Sequence, residues 1–91
     1  MESPLASKLT VHEPGPGGAL IRIEGHLGLA SLPELRDMLR SLEAPRVTFD
    51  LSGLMSLDAE GRSFLAILRD EGHVLAGASL YLSRLLEETS R

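Results

Sequence analysis

Within residues 50–68 the spacing of apolar residues changes from that of a strand to that of a helix, and this change constrains the fold more than any other feature of the chain. Residues 47–51, which overlap the start of this segment, alternate apolar and polar residues, as a half-buried strand does. After a Ser-Gly break, apolar residues recur at helical spacing. We therefore expect a strand, a loop over 52–57 and a helix capped by Asp58, with the functional surface where that helix begins.

The chain before this segment is predicted to start with two strands. Residues 5–12 and 19–24 alternate in hydropathy, which favours an antiparallel pair, and Gly25 is expected to close the second strand. The hairpin loop between them covers 13–18, whose prolines and glycines argue against regular structure. No Lys-Ser or Lys-Thr pair follows these glycines, so they do not indicate a phosphate-binding loop.

An amphipathic helix is predicted next. Ser31 stands three residues before Glu34, which is the spacing of a capping box, and Pro45 is expected to end the helix. A third strand over 46–51 follows, so the second and third strands should run parallel, with a right-handed crossover. This arrangement brings two glycine-containing turns to one sheet edge, Gly25-His26 and Ser52-Gly53.

Two further helices around a short strand complete the prediction. The second helix covers 59–71 with Gly72 as its C-terminal cap, strand 73–76 follows, and Ser79 caps the last helix. The predicted fold class is therefore α/β, with a mixed four-stranded sheet and about three helices.

Length and composition limit the domain organisation and the classes of function. Ninety-one residues suit one domain over 1–91, with flexible ends at 1–4 and 89–91. The net charge of −4 and scattered basic residues argue against nucleic-acid binding. The chain has no cysteine, no export signal and no apolar run near the roughly 18 residues of a membrane span. We expect a cytoplasmic protein without direct membrane insertion.

The order of the elements and several short motifs resemble the STAS domain of sulfate transporters and bacterial anti-sigma-factor antagonists. The resemblance covers nearly the whole chain. Its motifs are Ile21-Arg22-Ile23-Glu24-Gly25-His26-Leu27, Pro33-Glu34-Leu35-Arg36, Asp50-Leu51-Ser52-Gly53 and Leu57-Asp58-Ala59-Glu60-Gly61. The last two together carry most of the specificity. The resemblance implies a small regulatory domain that binds a protein partner and is not an enzyme.

One position departs from the family pattern. In the family, the residue after the loop aspartate is usually a serine or threonine that a partner kinase phosphorylates. Here that residue is Ala59, which has no hydroxyl group to phosphorylate. Ser52, Ser56 and Ser63 lie near it in sequence, but none is at the motif position, and each reads as an ordinary turn or helix residue.

The predicted partner-binding surface is the loop around Asp58 with the second helix, together with the neighbouring sheet edge. The residues assigned to it are Asp58, Ala59, Glu60, Gly61, Arg62, Ser52, Gly53, Gly25 and His26. Gly61 is expected to allow close approach of backbone or partner, and Arg62 to contact the partner. The resemblance implies two partner classes, an anti-sigma factor with a kinase-like ATPase fold, or the ATPase or membrane subunit of a transporter.

A second hypothesis is a sensor that binds a small anion or nucleotide at the same sheet edge. Helix N-termini offer free amides, so Gly77, Ala78 and Ser79 are its candidate anion-binding residues, although a plain helix cap is the simpler interpretation. Asp58, Glu60 and His26 are the residues that acid–base or metal chemistry would use. They lack a paired nucleophile and helical ligand spacing, so we predict no catalytic site, metal or cofactor.

Overall fold

The computed structural model describes residues 7–15, 18–42 and 46–89. Five strands and three α-helices are found in these ranges, together with a short 3-10 turn, Leu29–Ser31. In chain order they are β1 (Ser7–Gly15), β2 (Gly18–Leu27), α1 (Leu32–Leu42), β3 (Val47–Asp50), β4 (Leu54–Leu57), α2 (Ala59–Asp70), β5 (Val74–Ala76) and α3 (Leu80–Thr89). None of the described helices is long and apolar enough to cross a membrane.

Strand β2 is the centre of the sheet. It pairs antiparallel with β1 along one edge, and along the other edge it pairs parallel first with β3 and then with β4. β5 pairs parallel with the outer side of β3, so the order is β1-β2-β3-β5, with β4 beside the end of β2. The predicted antiparallel hairpin and parallel strand-helix-strand unit are confirmed.

The core lies between the sheet and the helices. Buried and exposed residues alternate along β2 and β3, so one face of the sheet carries the core. The central side chains Ile21, Ile23 and Phe49 are fully buried, and each helix adds leucines to them, namely Leu35, Leu65, Leu68, Leu82 and Leu86. Burying one such side chain contributes about 1.5–3 kcal/mol. β3, the strand predicted before the loop, therefore contributes to the core through Val47 and Phe49.

The sheet has five strands where the sequence predicted four. The missed strand is β4, placed in a loop by the prediction, and it pairs parallel with the end of β2. Gly25 does not close β2 as predicted, because the strand continues through it with φ +87° to Leu27. The register shifts between Gly25 and His26 at that point. Only glycine adopts such a backbone readily, so one residue both bends β2 and aligns it with β4.

The predicted hairpin loop over 13–18 is too long. β1 continues to Gly15, which pairs with Gly18 across an irregular register, and residues 16 and 17 lie outside the described residues. Pro14 lies between His12 and Gly15, where the regular pairing of β1 with β2 is interrupted, as is usual for a proline in a strand. Of the predicted flexible ends 1–4 and 89–91, residues 1–4 and 90–91 also lie outside the described ranges, whereas residue 89 belongs to α3.

The helix boundaries differ slightly from the prediction. Ser31 was predicted to cap α1, but it lies in the 3-10 turn, whose N-cap is Gly28. The Ser31 hydroxyl is 2.6 Å from the hydroxyl of Ser7. α1 ends at Leu42, and Pro45 lies outside the described residues. α2 ends at Asp70, one residue earlier than predicted, and Gly72 has the predicted left-handed φ of +100°.

Strand β5 begins at Val74 because His73 is used otherwise. The Nδ1 atom of His73 accepts a hydrogen bond from the Val47 amide at 3.0 Å, and its ring meets the edge of Phe49. His73, the residue before β5, is therefore linked to the start of β3.

Candidate functional site

The start of α2 is built around the carboxylate of Asp58. Asp58 is the N-cap in extended conformation, and its Oδ1 accepts a hydrogen bond from the Gly61 amide at 2.8 Å. Its Oδ2 accepts a second bond from the Leu29 amide at 3.0 Å. One side chain therefore connects the first turn of α2 to the 3-10 turn that precedes α1. The predicted capping role is confirmed, and the link to Leu29 is an addition.

Hydrogen bonding lowers the pKa of Asp58. The largest cause is the Gly61 amide, followed by the Leu29 amide, and the nearby charge of His26 acts in the same direction. All three favour the carboxylate over the protonated acid. Asp58 is thus an anion whose hydrogen bonds are directed inward, to the protein's own backbone.

Gly61 is buried and packs against the end of β2. A Cβ atom at this position would overlap the carbonyl oxygen of Leu27, which also accepts a 3.1 Å hydrogen bond from the Asp58 amide. Of the two predicted roles for Gly61, close approach to backbone is the one observed. Gly61 is not a surface for a partner, because the space beside it is filled by β2.

His26 and Ser56 join Asp58 at the same place. The Nδ1 atom of His26 lies 2.7 Å from the Ser56 hydroxyl, which comes from the unpredicted strand β4. A Cβ atom on Gly28 would lie 2.8 Å from His26 Nε2 and against the Asp58 carboxylate, so these side chains crowd one glycine. No group of three or more potential metal ligands occurs among the described residues.

The predicted meeting of two turns at the sheet edge is also present. The Gly25 amide donates a 3.0 Å hydrogen bond to the carbonyl of Gly53, so the two turns are joined directly. The Ser52 amide, which a ligand would need, donates instead to Asp50 Oδ1 at 3.0 Å. Asp50 also accepts from Arg22 at 3.2 Å, and its pKa is lowered mainly by the bond from the Ser52 amide.

The start of α3 lies close to this edge. Gly77 has φ +77°, and a Cβ there would lie 3.2 Å from both the Ser52 amide nitrogen and Asp50 Oδ1. Ser79 caps α3 as predicted, since its hydroxyl accepts from the Leu82 amide at 3.2 Å. Of the predicted anion-binding residues Gly77, Ala78 and Ser79, Gly77 therefore lies beside the carboxylate of Asp50. That carboxylate disfavours an anion.

Several residues at the start of α2 are exposed to solvent and take no part in the internal contacts just described. Ala59 and Glu60 are exposed, while Arg62 is only half-buried. Two large apolar side chains that line one groove with Ala59 and Glu60 are exposed as well: Leu29 by 63% and Ile67 by 53%. Neighbouring exposed apolar side chains of this size are a common feature of interaction surfaces.

Sequence reasoning missed these apolar residues. Helical spacing groups Ile67 with Phe64, Leu65 and Leu68, and these four positions span an arc of about 160° on a helix. Leu65 at one limit of that arc is fully buried, whereas Ile67 at the other limit is exposed. The spacing alone does not show which limit faces the core.

A groove of about 280 Å³ lies between α1 and α2. Its lining residues come from the 3-10 turn and from both helices, namely Leu29, Leu32, Arg36, Ala59, Glu60, Ser63, Phe64 and Ile67. The groove therefore begins at the Asp58 loop and follows the first turns of α2. Ala59, the position of the family's phosphoacceptor in the resemblance, is part of its wall.

No protein-family model matches the sequence, and no curated protein matches it either. Solved structures do resemble the fold. An anti-sigma factor antagonist from Mycobacterium paratuberculosis has a TM-score of 0.76 and 18% identity, covering 98% of this chain and 82% of its own. The unphosphorylated anti-sigma factor antagonist SpoIIAA has a TM-score of 0.70 and 12% identity, covering 88% of this chain and 82% of its own.

A third structure extends the likeness to a protein described by its domain. The STAS domain of an antisigma-factor antagonist from Rhodobacter sphaeroides has a TM-score of 0.56 and 22% identity, covering 98% of this chain and 100% of its own. At these identities the comparison establishes the fold. The chain is thus a single mixed α/β domain that is similar to STAS domains, as the sequence predicted.

Proposed function

We propose that this domain is a non-enzymatic regulatory module of STAS type that binds a protein partner through the Asp58 loop and α2. The observation that carries the proposal is the double hydrogen bond of Asp58 to Gly61 and Leu29. It fixes the starts of two elements against each other and leaves Ala59 and Glu60 exposed beside apolar residues. A rigid, partly apolar surface of this kind suits docking, because little ordering is required when the partner binds.

Binding is proposed to be constitutive with respect to phosphorylation at position 59. An alanine methyl group cannot accept a phosphoryl group, and the neighbouring Glu60 already supplies a negative charge to the first turn of α2. The nearby serines are less suited to a switch. Ser56 contacts His26 in the interior of the site, and Ser63 lies within α2.

Two partner classes are compatible with this surface. The structural neighbours are described as anti-sigma factor antagonists, which supports an anti-sigma factor as the partner. The absence of a hydroxyl at residue 59 supports instead a permanent complex, such as that of a STAS protein with a transporter ATPase or membrane subunit. Either role places the domain in a bacterial cytoplasm, and this location is part of the proposal.

The proposal is tested by isolating the partner and measuring its affinity. Tagged protein is recovered from native lysate at low expression, the stoichiometric companion is identified and purified, and binding is measured by calorimetry. Ala59→Arg places a long cation at the centre of the surface and should weaken binding at least about tenfold, the effect of losing a central contact of about 1.4 kcal/mol. Thr10→Arg on the edge strand β1 is the matched control and should leave affinity unchanged. Equal affinity for both variants would show that the surface is misplaced.

Gly61 should not be used as an interface probe. Its substitution would disturb the contact with Leu27 and lower stability, so loss of binding would have two explanations. Arg62→Glu is a cleaner second variant because Arg62 is half-exposed. Variants are compared only after their circular-dichroism spectra and melting temperatures match those of the wild type.

The phosphorylation proposal has its own test. Ala59→Ser restores a hydroxyl at an exposed position. If the purified partner is a kinase of the anti-sigma type, incubation with ATP should label the Ala59→Ser protein and leave the wild type unlabelled. Stoichiometric labelling of the wild type at any serine would overturn the proposed absence of a switch.

The small-ligand sensor finds less support in the structure. The edge that would hold an anion carries the carboxylate of Asp50, and the Glu24 side chain packs against Gly53. Nucleotide binding is checked by a titration with ATP and GTP followed by two-dimensional NMR. Saturable shifts of the Ser52, Gly77 and Ser79 amides would favour the sensor over the docking module.

A further inference from the structure

The groove between α1 and α2 has a polarity that indicates what kind of partner segment fits it. Its floor and walls are mainly apolar, with Leu29 and Ile67 exposed by 63% and 53%. Each wall also carries one charged side chain, Arg36 from α1 and Glu60 from α2. An apolar surface with a cation on one side and an anion on the other orients whatever binds to it.

Arg36 is held in position without an acidic partner. Its guanidinium carbon lies 5.3 Å from the centre of the Phe64 ring, so a cation–π contact with α2 fixes it over the groove. Among the described residues the ion pairs are those of Arg22 with Asp50 and of Arg40 with Asp37, and Arg36 takes part in neither. Arg36 is exposed and lines the groove, so its guanidinium is accessible to a carboxylate of a bound partner.

The size of the groove favours a protein segment over a small molecule. Sites for small ligands usually enclose about 300–1,000 Å³ and bury most of the ligand. This groove has about 280 Å³ and is open to solvent along the two helices. It has room for one or two side chains, and a groove between two helices is a surface on which an amphipathic helix lies with its apolar face down.

We propose that this groove binds an amphipathic helix of the partner, which places an aliphatic side chain between Leu29 and Ile67 and a carboxylate on Arg36. This inference rests on the proposed docking function and specifies the chemistry of its partner. Because Glu60 repels acids on the opposite wall, the partner helix has one orientation, with its acidic residue toward α1. A basic residue of the same helix pairs with Glu60.

The inference is tested with a phage-displayed library of helical peptides selected against the purified domain. The expected consensus combines a Leu, Ile or Met anchor with Asp or Glu three or four residues away, since these positions share one helix face. Selection against Arg36→Glu should replace that acid by Lys or Arg. A selected peptide added to ¹⁵N-labelled domain should shift the amides of Leu29, Ser63 and Ile67.

Affinities of the selected peptide give the size of the effect. Replacing its acid by Gln should weaken binding about 1.4- to fivefold, the range for a solvent-exposed ion pair of about 0.2–1 kcal/mol. Arg36→Glu should weaken it further, because attraction becomes repulsion. Arg40→Glu is the matched control, as Arg40 lies on the same helix, is 81% exposed and pairs only with Asp37. It should leave the affinity unchanged.

Three results would overturn the inference: no peptide selected, a consensus without acid enrichment, or NMR shifts that lie outside the groove. Failure of the proposed docking function can be distinguished from failure of this inference. If the isolated partner loses affinity for Ala59→Arg but binds Arg36→Glu like the wild type, docking at the Asp58 loop stands and the acidic helix is wrong. If neither variant affects the partner, both proposals fail.

Discussion

β3 ends with Asp50 and β4 is followed directly by Asp58. Both aspartates accept a backbone hydrogen bond, but they connect the chain differently. Asp50 accepts from Ser52, two residues later in its own turn, and from Arg22 on the adjacent strand. Asp58 accepts from Gly61 in α2 and from Leu29, which lies 29 residues earlier. Both carboxylates therefore reach 28 or 29 residues back along the chain, but Asp50 does so through the side chain of Arg22 and Asp58 through the backbone amide of Leu29.

This difference changes how each region can serve function. In both places the free amides at the sheet edge are already occupied by the protein's own carboxylates, so neither loop offers backbone donors to an anion. The region around Asp50 has an additional acid in Glu24 beside Gly53. The region around Asp58 carries exposed apolar side chains instead. In the proposed docking function, recognition at the second region therefore depends on side chains and on the hydrogen bonds by which Asp58 holds the start of α2.

The first prediction, with the largest expected change in stability, tests whether the region around Asp58 is more closely packed than the region around Asp50. Gly61→Ala should lower the free energy of unfolding by about 3 kcal/mol, because the added methyl meets the backbone carbonyl of Leu27, which cannot move aside without shifting β2. Gly53→Ala should cost less, about 1 kcal/mol, because its methyl meets the Glu24 side chain, which has rotatable bonds. Urea unfolding monitored by circular dichroism measures both.

Gly18→Ala is the control for these variants. A Cβ at Gly18 has no atom within 4 Å, and the expected change in unfolding free energy is within about 0.5 kcal/mol. A Gly61→Ala protein as stable as Gly18→Ala would mean that α2 does not contact β2 as closely as described. The Asp58 loop would then be less rigid than the docking proposal requires.

The second prediction compares the two aspartates directly. Asp58→Ala removes the cap of α2 and should lower the free energy of unfolding by about 1–2 kcal/mol, as loss of a helix N-cap does. Asp50→Ala should have the smaller effect, since its bond to Ser52 lies within an exposed turn. Hydrogen exchange adds a specific readout, because only Asp58→Ala should speed exchange of the Leu29 amide. Equal exchange at Leu29 in both variants would contradict the cross-link.

The third prediction concerns the stability of the folded protein at low pH. Hydrogen bonds lower the pKa of Asp58 below its ordinary 3.8, so the folded state favours the carboxylate. The resulting stabilisation is fully present above pH 3.8 and is lost as the pH falls through the lower pKa of the folded state. Asp58→Asn should therefore be less stable than the wild type at pH 6, with the difference shrinking below pH 4.

Asp50→Asn provides the comparison in the same experiment. Its pKa is also lowered, chiefly by the Ser52 amide, so its curve should have the same sign. Thermal melts between pH 2.5 and 6 measure the four curves of wild type, both single variants and the double variant. A constant gap between wild type and Asp58→Asn over this range would show that the carboxylate charge of Asp58 is not what stabilises the start of α2.

Local patterns were sufficient to predict most of the fold. The alternation in 47–51 predicted β3, and Asp58, Gly72 and Ser79 marked helix ends that the structure confirms. These signals work because a cap or an alternating face depends on the residue itself and its nearest neighbours. The parallel pairing of β2 with β3 followed from the helix between them.

The missed features depend on contacts distant in sequence. β4 is only four residues long and becomes a strand because the end of β2 lies beside it. The bond between Asp58 and Leu29, and the burial of Gly61 against Leu27, follow from that same pairing. Sequence reasoning therefore found the residues of the candidate site but not which of them face inward. Gly61 and His26 lie largely within the fold, while Leu29 and Ile67 form its surface.

The smallest expected effect asks whether the acidic start of α2 is tuned for stability or for binding. Glu60→Gln removes a negative charge from the first turn of α2 and should lower the free energy of unfolding by about 0.3–1 kcal/mol at low salt, because acids interact favourably with a helix N-terminus. Glu71→Gln, at the C-cap of the same helix, should raise stability by a similar amount, because an acid there opposes the helix dipole. Both changes should shrink at 1 M salt. If Glu60→Gln leaves stability unchanged but weakens the partner complex, the charge of Glu60 contributes to partner binding at the groove. The charge of Asp58, in contrast, stabilises the folded state.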